Sequence, residues 1–133
     1  MALIYYLTQI QLEAGAVRLL QEECQRVGIS RPLVVTDAGV KAVGILQKAL
    51  DALPGMNPVV FDQTPSNPTE AAVRAAAALY KANNCDGLVA VGGGSAIDCA
   101  KGVAIAATHE GPLKTYATIE GGSPKITDRV APL

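Results

Sequence analysis

The sequence predicts an α/β fold, a parallel sheet with helices on both faces. Short apolar runs alternate with longer stretches of helical periodicity along nearly the whole chain, which is the pattern of a sheet built from crossover units. The 133 residues are 50% hydrophobic with a mean hydropathy of +0.27, enough for one core in one domain. One apolar run, Gly87-Leu88-Val89-Ala90-Val91, passes directly into Gly92-Gly93-Gly94-Ser95 and a further helical stretch. A strand-to-helix turn of that kind is where such sheets hold anions.

Taken in order, Met1-Ala2-Leu3-Ile4-Tyr5-Tyr6-Leu7 is apolar but lacks a basic lead and a small-residue cleavage site, so it reads as a first strand and not as a signal peptide. Leu12 to Val27 carries Val17, Leu19, Leu20, Cys24 and Val27 among polar residues, a stripe on one helical face, and Gly28 ends it. Leu33 to Thr36 is a strand, Gly39 to Leu53 a helix stopped by Pro54-Gly55, and Pro58 to Phe61 a strand. Pro65 to Glu70 is a loop in which Pro68 or Thr69 opens an alanine-rich helix ending near Asn83-Asn84. Leu88 to Val91 is the next strand and Ser95 to about Thr108 the next helix. That helix has almost no polar face, so either a partner covers it or it lies deep against its own sheet. The tail from Gly111 is rich in Gly and Pro and ends on Val130-Ala131-Pro132-Leu133, an apolar ending that resembles a strand cut short.

The glycine turn is the most informative segment. Residues without Cβ let the backbone approach a ligand closely, and the free N–H groups and dipole of the following helix favour an anion. Ser95 is expected to be the N-cap, with Asp98 three residues on and able to reach back to the cap's N–H. The same residues also suit a plain strand-to-helix turn in which Asp98 only caps. Two familiar phosphate loops do not match: no stretch supplies the P-loop spacing, and Ile97 stands where the dinucleotide fingerprint needs its third glycine.

A net charge of −1, one Phe, four Tyr and no Trp offer neither the basic surface nor the stacking platform that nucleic acid requires. No run approaches the roughly 18 apolar residues of a membrane span. Cys24, Cys85 and Cys99 are odd in number and widely spaced, which suits a reduced, cytoplasmic compartment and gives no metal cluster. Cys99 reads as a small core residue, and the single His109 as a solvated loop histidine. In parallel sheets ligands gather beyond the carboxyl ends of the strands, and three such ends carry Asp37, the Ser66-Asn67 loop and the glycine turn.

Val35-Thr36-Asp37, then Asn67-Pro68-Thr69, then Gly92-Gly93-Gly94-Ser95-x-x-Asp98-x-x-Lys101, with the early Gly15-Ala16, together resemble the iron-containing (group III) alcohol dehydrogenases, relatives of dehydroquinate synthase and glycerol dehydrogenase. The resemblance implies that residues 1–133 are a nucleotide-binding domain. In the family an all-helical domain normally follows, whose one Asp and three His hold a divalent metal, Fe2+ or Zn2+. It also implies that a threonine-rich loop, Thr-Thr-x-Gly-Thr-Gly-Ser-Glu, should begin just after Leu133, so the chain is expected to be a fragment of a longer dehydrogenase. By the same likeness Gly92, Gly93, Gly94 and Ser95 would cradle the pyrophosphate of NAD, Asp98 would sit near the nicotinamide end, and Asn67 would line the adenosine side. Asp37 would accept hydrogen bonds from the ribose hydroxyls and repel a 2′-phosphate, favouring NAD over NADP, unless it merely caps the next helix.

The resemblance further implies metal-assisted hydride transfer between a primary alcohol or aldehyde and NAD. The partners expected of the complete protein are the dinucleotide, a small alcohol or aldehyde, and further copies of itself. The fragment alone is expected to bind NAD weakly and oxidise nothing. Two other readings use the same residues: a non-enzymatic nucleotide or phosphosugar binding module, and a structural domain that associates through its alanine-rich helices.

Overall fold

A computed structural model of the chain describes residues 8–133. The opening strand expected over Met1–Leu7 lies outside the described residues. Three strands, β1 (Pro32–Val35), β2 (Val59–Phe61) and β3 (Gly87–Ala90), form a parallel sheet in the order β2-β1-β3. Leu33 pairs with Val59 on one side and Leu88 on the other. Every residue of β1 is buried, as a continuous apolar run between two neighbours and under helices on both faces requires.

Alternation along the strands sorts side chains into two cores. Leu33, Val35, Phe61 and Leu88 face α4 (Glu70–Ala82) and α5 (Gly94–Ala106), meeting Val73, Ala76, Ala77, Cys99, Ala100 and Val103. Val34 and Val89 face the other way, meeting Cys24 of α1 (Leu20–Arg26), Leu46 of α3 (Ile45–Asp51) and Leu53. No described helix is long and apolar enough to cross a membrane.

Two helices differ from expectation. The helix expected over Leu12–Val27 begins only after a 3-10 turn at Ala16–Leu19. Leu12 is 93% exposed and Arg18 turns back onto the Gly15 carbonyl and the Glu13 carboxylate, so Leu12 stands off the apolar stripe, which among the described residues joins the core at Leu20. The helix expected over Gly39–Leu53 is broken into α2 (Ala38–Ala42) and α3 at Gly44, which sits at φ +80°. Apolar periodicity continues across the break, but Val43 beside it is 71% exposed, and only glycine adopts that conformation at little cost.

α4 opens where expected, with the Thr69 hydroxyl accepting from the Ala72 N–H at 3.2 Å. α5 is covered within its own chain by α4, the sheet and the tail. The tail folds into 3-10 turns over Leu113–Tyr116, Thr118–Glu120 and Ser123–Lys125. Its end is not a strand. Even so, the Leu88 N–H donates to the Pro132 carbonyl at 2.9 Å and the Ala131 N–H to Ala104 at 3.3 Å, so it lies along the outer edge of β3.

His109 is more than the solvated loop residue expected. Its Nε2 accepts from the Thr127 N–H at 3.0 Å, Nδ1 lies 2.8 Å from the Thr108 hydroxyl, and the ring meets Tyr116 edge-on at 5.3 Å, fastening the tail to the end of α5. Cys99 is a core residue with no exposed surface, and burial pushes its thiol pKa up. At the amino ends of the strands, the Asp86 carboxylate accepts from the N–H groups of Ser30 and Arg31 and from the Ser30 hydroxyl at 2.5 Å. Burial pushes its pKa up, but these bonds and the Arg31 guanidinium outweigh burial and hold it below the ordinary value.

Candidate functional site

The carboxyl ends of the three strands converge on Thr36. This fully buried residue donates its N–H to the Phe61 carbonyl at 2.8 Å and its hydroxyl to the Val91 carbonyl at 2.7 Å, and its own carbonyl accepts from the Thr64 N–H at 3.3 Å. One threonine therefore locks the end of β1 to the loops leaving β2 and β3. The next residue, Asp37, caps α2: its Oδ1 accepts from the Val40 N–H at 2.9 Å. The capping role weighed from sequence is therefore present, and the other carboxylate oxygen remains beside the glycine turn.

Gly92 makes that turn possible. It sits at φ +147°, and a Cβ there would lie 3.1 Å from the Ala96 Cβ, 3.4 Å from Asp37 Oδ2 and 3.5 Å from a Val40 methyl. Gly93 and Gly94 face open space, with nothing within 4 Å of an added Cβ. The first helical bond of α5 runs from Ile97 N–H to the Gly93 carbonyl at 3.2 Å. Among the described residues, the N–H groups of residues 92–96 have no acceptor. These are the orphan donors of a helix start, with the positive end of the dipole behind them.

The cap itself differs from expectation. Gly93, in an extended conformation, is the N-cap, no side chain among the described residues caps the helix, and Ser95 is the second helical residue. The Ser95 hydroxyl instead donates to the Ser66 carbonyl, so the expected exchange with Asp98 is not made. Asp98 stands past the first turn, exposed, with no hydrogen bond among the described residues.

A cavity of about 440 Å³ opens at this end of the sheet, lined by Asp37, Ala38, Gly39, Thr64, Pro65, Ser66 and Ser95. Of the residues expected at the site, the structure therefore brings Asp37 and Ser95 to the cavity wall, with Gly92 packed against Asp37. Asn67 is exposed next to Ser66, and neither it nor Asp98 lines the cavity. Thr64 went unnoticed in sequence. It is 6% exposed, and its hydroxyl oxygen is buried beside the Cys99 thiol, with no well-formed hydrogen bond among the described residues. A lone threonine in a Gln-Thr-Pro stretch carries no such signal. A larger cavity of about 510 Å³ lies between α1 and β3 over Leu20, Cys24, Ile29, Val89 and Ala90, and none of Asp37, Thr64, Ser66 and Ser95 lines it. Among the described residues no group of three or more His, Cys, Asp or Glu is placed to hold a metal ion.

A parallel sheet whose strand ends meet a glycine turn and an uncapped helix start is a Rossmann-like α/β domain. The family model for iron-containing alcohol dehydrogenase matches residues 8–133, and the chain belongs to that family. It is 68% identical to 4-hydroxybutyrate dehydrogenase of Cupriavidus necator over 133 residues, which is 100% of this chain and 35% of that protein. Among solved structures, it is similar to NADH-dependent butanol dehydrogenase A from Thermotoga maritima, with a TM-score of 0.78 and 28% identity over 87% of this chain and 30% of that one. It is also similar to sulfoacetaldehyde reductase from Bifidobacterium kashiwanohense, solved in complex with NAD+, with a TM-score of 0.70 and 28% identity over 77% of this chain and 27% of that one. The chain spans about a third of the length of the curated relatives it matches.

Proposed function

We propose that this chain is the cofactor-binding domain of an alcohol dehydrogenase that passes hydride between a primary alcohol or aldehyde and NAD. The observation that carries the reading is the row of unaccepted N–H groups over residues 92–96 beside the Asp37 carboxylate. In this reading the pyrophosphate lies against Gly92, Gly93, Gly94 and the Ser95 N–H, the ribose hydroxyls donate to Asp37, adenosine lies towards Asn67, and the nicotinamide lies towards Asp98. The open space at Gly93 and Gly94 suits a polar ligand entering the 440 Å³ cavity.

When bound, NAD supplies the hydride acceptor; this chain's residues bind and orient it. A micromolar dinucleotide requires roughly 8 kcal/mol, and a charge at a helix terminus supplies about 0.3–1 kcal/mol, so several of these contacts must act together. The described residues do not suit a divalent metal, so in this reading its ligands and the substrate contacts come from outside the 133 residues. This chain alone then oxidises nothing. The relative named 4-hydroxybutyrate dehydrogenase makes an ω-hydroxy acid, itself a primary alcohol, the first substrate to try with the complete enzyme. A reduced cytoplasmic compartment belongs to the reading, supported by three free cysteines. So does self-association, for which the exposed Val43 and Ile45 offer an apolar pair.

Titration of the chain with NAD, NADP, ADP-ribose and phosphate tests the proposal. The expected order has NAD and ADP-ribose tighter than phosphate, and NADP weaker than NAD by ten-fold or more, with Asp37→Gly closing that gap. Equal affinity for NAD and NADP in the unaltered chain overturns the assignment of Asp37. Absence of any dinucleotide binding overturns the whole reading.

A further inference from the structure

The Ser95 hydroxyl is already engaged within the protein. It donates to the Ser66 carbonyl, 29 residues away, and both residues line the strand-end cavity. A serine hydroxyl has a single proton to donate, so while this bond holds it cannot also donate to a phosphate. The loop it grips has few other ties. Its upstream end is held by Thr64 N–H on the Thr36 carbonyl and its downstream end by the Thr69 cap. Between them, among the described residues, the Ser95 bond is the one hydrogen bond reaching residues 65–68.

We infer that Ser95 is a positioning residue: its hydroxyl holds the Ser66-Asn67 loop at a set distance from the glycine turn, and the anion contacts fall to main-chain N–H groups. This rests on the dinucleotide reading above for the ligand, though not for the strut itself. Without the bond, residues 65–67 must be ordered by the ligand, and that cost is drawn from its affinity. One neutral hydrogen bond corresponds to a loss of about ten-fold, and the loss should fall on the part of the ligand that meets the loop.

The test uses Ser95→Ala and Ser95→Thr in the full chain, with adenosine as a phosphate-free probe, inorganic pyrophosphate as a sugar-free probe, and NMR order parameters at the Ser66 and Asn67 backbone. Ser95→Ala is expected to weaken adenosine about ten-fold, to leave pyrophosphate within two-fold, and to lower the order parameters at both residues. Ser95→Thr, which keeps the hydroxyl, is expected to restore all three. Loss of pyrophosphate affinity with adenosine unchanged would make Ser95 a direct phosphate ligand and overturn the proposal, as would unchanged order parameters in Ser95→Ala. If the unaltered chain binds neither probe, the dinucleotide reading fails by itself, and the order parameters alone decide the strut.

Discussion

Replacing Gly92 by alanine should cost far more than replacing Gly94, two residues away. At Gly92 the backbone sits at φ +147°, where a side chain adds strain of about 1–3 kcal/mol. The new methyl would also stand 3.1 Å from the Ala96 Cβ and 3.4 Å from Asp37 Oδ2. The first of these neighbours is fixed to a helix and the second is held by its cap bond to Val40, so relief means moving backbone, adding about 1 kcal/mol of overpacking. The total is about 3 kcal/mol, a fall of about 10 °C in Tm for a domain of this size. At Gly94 nothing lies within 4 Å of an added Cβ and φ is ordinary. Alanine there, inside the helix, should hold or raise stability by about 0.5–1 kcal/mol, while its methyl obstructs the cradle and lowers NAD affinity at least ten-fold. Calorimetric melting of both variants, with NAD titrations, reads the two effects separately. A Gly92→Ala melting within 2 °C of the parent would refute the account of the turn, and a Gly94→Ala with undiminished NAD affinity would refute the placement of the cradle.

Asp86→Ala should destabilise the chain by about 2–3 kcal/mol near neutral pH, because it strands the N–H groups of Ser30 and Arg31. The folded state holds this carboxyl below its ordinary value, so its contribution is complete above the unfolded pKa near ~4 and is lost as pH falls through the lowered folded value. Urea midpoints of parent and variant should therefore converge towards pH 2, and a gap independent of pH would contradict the assignment. Thr36→Val leaves the Val91 carbonyl without its 2.7 Å donor, for an expected loss of about 1–3 kcal/mol. Faster hydrogen exchange at the Val91 and Thr64 amides, which donate to the Val35 and Thr36 carbonyls beside the lost bond, should accompany it, and uniform destabilisation with no local change would count against Thr36 as the tie between strand ends.

The alternation of apolar runs and helical stretches was enough to locate β1, β2, β3 and α4 within a residue or two, because strands buried under helices on both faces must be nearly continuous in apolar residues. Helix ends were harder to read. Leu12 looks like part of a stripe and Gly44 like a tolerated interior glycine, yet exposure at Leu12 and the left-handed turn at Gly44 decide otherwise. At the site, the glycine turn announced itself through its composition. The Ser66-Asn67 loop could be placed at a strand end, but the roles of Thr36 and Thr64 could not be read, since nothing local distinguishes a threonine that joins three strand ends from one facing solvent.

By itself the sequence determined the layer order of the fold, the place of the glycine turn and the family likeness, since all three are written in local spacing. Tertiary structure decided what each polar group does. Ser95 was free to cap its own helix until the β2-α4 loop brought the Ser66 carbonyl within reach, and Gly93 then took the cap position. Hydrogen-bond partners 29 or 55 residues apart meet only because parallel strands bring their carboxyl ends to one edge, and no periodicity along the chain encodes that meeting.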